Sequence, residues 1–483
     1  MKSLKISRPK LQFELVLVIA GLALVLVSPS KLVRSQSTSD AALNAVRASD
    51  QMDRAGKSKV PGQVSAAEHM RRAGIYMANR AFAPAREHWQ AVLAEFPSDT
   101  NVPAAIFGIA RSYYQERHYD EARQMYERVA HDYPETKEGR EGANFAASAL
   151  LRMGKGAEAA ARYAQYLDKY PNGERVDTAH LNIVDGYREA GRPQDAILWI
   201  DRTRQKFAGT PTETSAIFAR LRLDVAIGDW NHAVQSADEL LQKPINKASN
   251  TTADEVLYLK AHALERAGRI ADAVRFFSMI PDNLDSYYGG LATSRLAAIN
   301  DSTAKQRATE RARSVQAAID RAGSEYPAAF GAQVAREAKK RALDPRLLLA
   351  IMKQESQFKA NAKSPAAARG LLQLTTDAAQ KYAGRAGVKV TDESLYQPAT
   401  NIAVGAEYIA ELSRMFAGLS EAIAASYNGG EDNVTRWLGR TNQSDAGVFT
   451  AEVGFTESKN YVFKVMSFYR AYRQLYDANL NRR

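Results

Sequence analysis

Glu355 lies in Met352-Lys353-Gln354-Glu355-Ser356-Gln357-Phe358, at the end of an apolar run that includes Leu347, Leu348, Leu349 and Ile351. Ser364 comes nine residues later, then Gly370-Leu371-Leu372-Gln373. Further on stand Ser426-Tyr427-Asn428-Gly429-Gly430 and Glu457-Ser458-Lys459-Asn460-Tyr461-Val462. A single carboxylic acid among neutral hydrogen-bonding and aromatic side chains suits proton transfer to a sugar oxygen. The acid supplies the proton, and the neutral groups hold hydroxyls and amides in place.

The helix carrying Glu355 is readable from its ends. Asp344-Pro345 is an acidic N-cap followed by proline in the first turn. Leu347, Leu348, Ile351 and Met352 form its buried stripe. Glu355 then falls near the helix C-terminus, where the negative end of the dipole disfavours a carboxylate. Partial burial raises the pKa as well. Both effects favour a protonated acid near neutral pH. A glutamate at a helix end is ordinarily a solvated surface group; the blocks downstream set this one apart.

Upstream, residues 65–283 repeat. Ala85, Ala122, Ala159, Ala196 and Ala233 are each 37 residues apart. Phe96-Pro97, Tyr133-Pro134, Tyr170-Pro171 and Phe207-Ala208 keep the same interval, as do Pro244 and Pro281. Gly154, Gly191, Gly228 and Gly268 each precede their alanine by five residues. Each unit reads as two helices around a short glycine turn, ended by an aromatic residue and proline. The alanine permits close helix approach, the glycine a positive φ, and the proline a stop. Tyr113, Tyr114, Trp89, Trp199 and Trp230 read as core residues of these units. The pattern resembles the tetratricopeptide repeat in a slightly long form. Five or six such units would stack into a solenoid, because none can bury its apolar face alone. The solenoid could serve as a partner-binding surface, a spacer or a brace for the region around Glu355.

The chain of 483 residues has room for two or three domains. It contains no cysteine, so disulfides and thiolate metal sites are excluded. Its seven histidines show no paired ligand spacing, and neither a metal nor another cofactor is expected. The net charge is +11, and residues 336–483 hold 21 Lys and Arg against 15 Asp and Glu. Taken alone, that charge fits nucleic acid, anionic lipid or an anionic wall polymer equally well.

Lys2, Lys5, Arg8 and Lys10 precede an unbroken apolar run from Leu15 to Val27, the order of an export signal. Thirteen apolar residues are short for a spanning helix, and Ser28-Pro29-Ser30 is the best cleavage candidate. Residues 1–34 are therefore expected to be a signal peptide or an uncleaved inner-membrane anchor, with 35–64 as a tether.

The C-terminal blocks resemble the soluble lytic transglycosylase family. Ser364-Pro365-Ala366-Ala367-Ala368-Arg369-Gly370-Leu371-Leu372-Gln373 resembles its Ser-x-x-Gly-Ala-x-Gly-Leu-Met-Gln block. Gln397-Pro398 with Asn401-Ile402 and Gly405 resembles Pro-x-x-Asn-Ile-x-x-Gly, and Ser426 to Gly430 resembles Ala-Tyr-Asn-Ala-Gly. Glu457 to Val462 resembles Glu-Thr-Arg-x-Tyr-Val. Asp285-Ser286-Tyr287-Tyr288-Gly289-Gly290-Leu291-Ala292 resembles the segment joining superhelix to catalytic domain. The chain departs from the pattern at Ala367 (usually glycine), Leu372 (usually methionine) and Thr375-Thr376 (usually Met-Pro).

The resemblance implies an all-α protein: helical repeats over 65–283, a helical linker over 284–334 and a lysozyme-like catalytic domain over 335–480. It implies cleavage between N-acetylmuramic acid and N-acetylglucosamine, with a 1,6-anhydro sugar as product. Glu355 would act first as acid and then as base. Ser364, Gln373, Tyr427, Asn428, Tyr461 and Phe358 would bind or position the glycan, with Glu457 as a supporting carboxylate behind them. The implied partners are peptidoglycan glycan strands, an envelope protein on the solenoid, and the inner membrane if the N-terminal segment is retained; nucleic acid is not among them. The location is the periplasm or cell envelope. Two other readings stay open. A hydrolase on the same fold would need a second carboxylate, for which Asp377 and Asp432 are nearest in sequence. A non-catalytic glycan-binding scaffold would need none.

Overall fold

The computed structural model describes residues 29–55, 64–441 and 445–483. It contains 23 α-helices, and no strand among the described residues. Segment 1–28, most of the expected targeting element, lies outside the described residues. No described helix is long and apolar enough to cross a membrane.

Twelve of the helices pair into six repeats. They are Ala66–Ala78 with Phe82–Glu95, Val102–Gln115 with Tyr119–Asp132, and Lys137–Arg152 with Gly156–Lys169. Val176–Glu189 with Pro193–Lys206, Pro211–Ile227 with Trp230–Leu241, and Ala253–Arg266 with Ile270–Met279 complete the set. Ala85, Ala122, Ala159, Ala196, Ala233 and Ala273 are all fully buried. A larger side chain at any of them would force the paired helices apart. Gly154, Gly191, Gly228 and Gly268 adopt φ between 67° and 78°, the left-handed turn that glycine takes without strain. In the first two repeats Arg80 (φ 57°) and Arg117 (φ 68°) hold that same position.

The tether expectation needs correcting. Residues 35–54 belong to a helix, Pro29–Arg54, that leads onto the first repeat. Leu43 and Val46, three residues apart on one face, are 2% exposed and pack with Ala73, Tyr76, Ala85 and Trp89. Arg72 donates to Asp50 at 2.7 Å and to Asp53 at 2.6 Å. The Ser- and Ala-rich composition looks like linker, but alanine is a strong helix former, and Leu43 and Val46 with Asp50 and Asp53 dock the helix.

The expected linker is equally well packed. Its helices Tyr287–Ala298 and Ser302–Arg321 share a hydrophobic core with the last repeat and with the C-terminal region. This core runs from Tyr258 and Phe277 through Leu296 and Val315 to Leu348, Ile402 and Tyr472. Tyr287 and Tyr288 are buried, bonded to Thr450 at 2.9 Å and Glu255 at 3.0 Å respectively. No break in packing separates repeat, linker and C-terminal helices.

Those C-terminal helices include Pro345–Ser356, Thr376–Ala386, Pro398–Met415, Ser420–Gly429, Glu431–Gly439, Ala446–Glu452 and Thr456–Leu475. Each of the six repeats sends a side chain to them. Arg80 meets Asp377, Arg117 meets Glu431, and the Arg152 guanidinium lies 5.4 Å from the Phe455 ring centre. Arg188 and Arg222 both meet Glu452, and the Tyr258 hydroxyl donates to Asp445. Several of the basic residues of the repeats are thus paired with acids of the C-terminal region.

Candidate active site

Pro345–Ser356 is N-capped by Asp344, whose side chain accepts from the Arg346 N–H, as the sequence predicts. Leu347, Leu348, Ile351 and Met352 are buried, and Glu355 is the penultimate residue of the helix. The chain then leaves the helix through two left-handed residues, Gln357 (φ 50°) and Phe358 (φ 63°). Beyond this turn Phe358 is partly buried and packs against the core.

Glu355 is partly buried, and Tyr461, 5% exposed, donates its hydroxyl to Glu355 Oε1 at 2.6 Å. Burial pushes the Glu355 carboxyl up from 4.5 to about 7. The Tyr461 hydrogen bond works against that rise, and the charge of Glu457 adds to it. The upward direction is the one expected from the sequence, and burial is its largest cause. Tyr427 lies in the same electrostatic neighbourhood, its phenol raised by burial and by the charge of Glu355.

The segment 364–376 is held largely by its own backbone and by Asn401. Gly370 (φ 76°) must be glycine, because a Cβ would lie 2.2 Å from the Leu395 carbonyl. Asn401, fully buried, accepts from the Leu372 N–H at 2.8 Å and donates to the Arg369 and Leu395 carbonyls at 2.9 and 2.8 Å. Leu372 packs so closely on Gly405 that a Cβ there would meet it at 2.3 Å. The spacing of the Asn-Ile-x-x-Gly block thus has a direct physical cause. Tyr427 donates to the Leu372 carbonyl at 2.6 Å, tying this segment to the Ser420–Gly429 helix.

Gln373 sits at the end of that segment in a left-handed conformation (φ 45°). Its amide nitrogen donates to the Ala362 and Gly370 carbonyls at 3.1 and 2.9 Å. Asn428 is exposed; its Oδ1 accepts from Ser458 at 2.6 Å and its Nδ2 reaches Glu457 at 3.5 Å. Glu355, Tyr461, Tyr427, Asn428 and Glu457 therefore form one connected neighbourhood, with Gln373 joined to it through the Leu372 carbonyl. Ser364 stands apart: its hydroxyl accepts from the Ala368 N–H at 3.1 Å and closes a turn in its own loop.

The departures from the family pattern have structural counterparts. Ala367 is 2% exposed at φ 61°, a conformation that glycine occupies at less cost. Thr376 donates to Asp392 at 2.5 Å and accepts from the buried Arg369 at 3.3 Å. A proline at that position would lack the hydroxyl that makes both bonds. The two carboxylates nearest in sequence are engaged elsewhere. Asp377 takes two hydrogen bonds from Arg80, and Asp432 accepts from the Tyr119 hydroxyl at 2.9 Å.

With this geometry in hand, comparison with known proteins is informative. Residues 333–449 match the Transglycosylase SLT domain, and 104–136 and 146–211 match tetratricopeptide repeats. The chain joins an SLT domain to tetratricopeptide repeats. Over 122 residues it is 34% identical to a putative soluble lytic murein transglycosylase of Haemophilus influenzae, covering 25% of this chain and 21% of that protein. The soluble lytic murein transglycosylase of Escherichia coli K12 is 29% identical over 168 residues, 33% of this chain and 26% of that one. Membrane-bound lytic murein transglycosylase C of Salmonella arizonae is 32% identical over 164 residues, 29% of this chain and 45% of that one. The matched region spans less than half the length of each relative. Among solved structures, the lytic transglycosylase Slt of Pseudomonas aeruginosa aligns with a TM-score of 0.49 and 17% identity. That alignment covers 93% of this chain and 89% of the other.

Two residues at this site have roles that the sequence does not mark. Ser458 stands in the Glu457 to Val462 block, but its hydrogen bond to Asn428 is not readable there. Asn401 is visible as part of a motif, but its three buried hydrogen bonds are not.

Proposed function

We propose that this protein is a peptidoglycan lytic transglycosylase of the bacterial cell envelope. The observation that carries the reading is Glu355 itself. It is a partly buried carboxyl raised to about 7, held by one phenol, inside an SLT domain. A carboxyl in that range is protonated often enough to act as an acid and ionised easily enough to act as a base. Glu355 protonates the oxygen between N-acetylmuramic acid and N-acetylglucosamine. The acetamido group of the muramic residue assists departure. Glu355, now ionised, takes the proton of the C6 hydroxyl as that oxygen attacks C1 and closes the 1,6-anhydro ring. The attacking hydroxyl belongs to the same sugar, so proximity supplies much of the rate.

The neutral residues position the strand. Asn428 is exposed beside Glu457, and Gln373 commits its nitrogen to its own loop, leaving its carbonyl oxygen to accept from a sugar. Phe358 supplies an apolar surface, Tyr461 orients Glu355, and Tyr427 fixes the loop through the Leu372 carbonyl. Ser364 shapes its loop. A hydrolytic route gains no support from Asp377 or Asp432, both bound to residues of the repeats.

The test is Glu355→Gln, assayed on purified sacculi. Turnover is expected to fall by roughly 10²–10⁴-fold, the usual worth of a general acid. Undiminished digestion by the variant would remove Glu355 from the chemistry.

A further inference from the structure

Arg80 and Arg117 occupy a position that the other four repeats give to glycine. Each lies five residues before its repeat's buried alanine, at φ 57° and 68°, where Gly154, Gly191, Gly228 and Gly268 lie at 67° to 78°. An L-residue is strained in this region, and arginine has no short side chain to bond its own backbone there. The side chains go elsewhere. Arg80 donates through Nε and Nη2 to the two carboxylate oxygens of Asp377, at 3.0 and 2.8 Å. Arg117 binds both oxygens of Glu431, at 2.5 and 2.7 Å, and lies 3.5 Å from Asp432.

Both acceptors sit in the first turn of an SLT-domain helix, directly after a segment that carries site residues. Asp377 begins Thr376–Ala386, four residues past Gln373. Glu431 begins Glu431–Gly439, three residues past Asn428. Burial alone would raise both carboxyls, yet their arginines hold them below the ordinary range. Beside the second contact is a cavity of about 250 Å³, lined by Phe145, Arg152, Gly429 and Gly430 among others. The Arg117 ion pair is thus one of the restraints on the 428–430 segment, beside the bonds from Ser458 to Asn428 and from Asn433 to the Gly429 carbonyl.

We infer that Arg80 and Arg117 are positioning residues for the reaction, acting through Asp377 and Glu431 to set the loop that carries Gln373 and the helix end that carries Asn428. The first two repeats are thereby part of the active-site scaffold. The catalytic arm of this inference rests on the proposed transglycosylase function; the geometric arm does not.

The test is the full chain with Arg80→Gly and Arg117→Gly together. Glycine is the residue the other repeats use at this turn, so the double variant keeps the repeat fold, checked by an unchanged unfolding midpoint. Hydrogen exchange should quicken in peptides covering 369–377 and 426–432 and stay unchanged over 345–356. On sacculi, kcat should fall about tenfold with KM within about twofold, the mark of misplaced groups and not of lost binding. Arg80→Asp combined with Asp377→Arg should recover most of the share lost through Arg80. Unchanged exchange at both segments overturns the inference, and so does faster exchange with wild-type kcat. If the wild-type chain leaves sacculi intact, it is the transglycosylase reading that fails, and the exchange measurement still decides whether the arginines hold the two segments.

Discussion

The two halves of the solenoid meet the SLT domain by different physics. In repeats four to six the contact is interior. Arg188 and Glu452 are 2% and 1% exposed, Arg222 shares the same carboxylate, and the last repeat runs into the C-terminal core without a break. In repeats one and two the contact is peripheral. Arg80 and Asp377 are 26% and 36% exposed, and Arg117 and Glu431 are 35% and 20% exposed. A buried ion pair whose partner is removed leaves an uncompensated charge, whereas a half-exposed one is replaced by water at little cost. The later repeats therefore share the interior of the SLT domain, while the early ones touch it at its periphery. A solenoid engaged in this way is a brace along the edge that carries these arginines. A protein partner would have to use another of its faces.

The sharpest way to break this comparison is Glu452→Ala. It strands Arg188 and Arg222 together, and urea unfolding should show a loss of about 3–5 kcal/mol in one transition for repeats and SLT domain. A loss below about 1 kcal/mol, or two separate transitions, would mean the interior seam is no stronger than the peripheral one. The next effect concerns Glu355. Its carboxyl is raised in the fold, so the native state binds that proton more tightly than the unfolded chain. Its contribution to stability is lost as pH climbs from about 4.5 to about 7. Glu355→Gln should therefore melt above the wild type at pH 8 and level with it near pH 4, below the unfolded value of 4.5; a constant difference would contradict the burial. Smaller again is Ala367→Gly. Relief of the left-handed alanine, less the added freedom of the unfolded chain, should stabilise by about 0.5–1 kcal/mol. Smallest is Arg80→Gly alone. Loss of a half-exposed pair and relief of strain nearly cancel, leaving stability within about 0.5 kcal/mol of wild type. A larger drop would place the early repeats in the same class as the later ones.

The repeats are legible because close helix packing imposes a small residue at a fixed place, and the 37-residue alanine interval records it. The helix bearing Glu355 is legible from its cap and stripe. What escapes is information carried by departures. Arg80 and Arg117 look like noise against a glycine pattern until their partners are seen, although the left-handed turn they adopt is dictated by the repeat itself. The helix over 35–54 escapes because the residues that dock it, Leu43 and Val46 with Asp50 and Asp53, are scattered within an Ala- and Ser-rich stretch. Ser364 is expected at the glycan because it stands at the head of a motif. Its hydroxyl also accepts from the backbone of a tight loop, a use that residue type alone does not reveal. The raised pKa of Glu355 is legible in direction, because burial at the end of an apolar helix is foreseeable, but its size depends on Tyr461 and Glu457, which only the fold brings near.

The central claim is a cleavage run by one carboxyl, in which the sugar's own hydroxyl takes the place of water. Mass spectrometry of the fragments that the full chain releases from purified sacculi tests it most directly. Muramic ends lighter by one water than hydrolytic ends are expected, released roughly 10²–10⁴-fold more slowly by the Glu355→Gln variant. Fragments carrying the added water, or anhydro ends released equally by that variant, would contradict the claim.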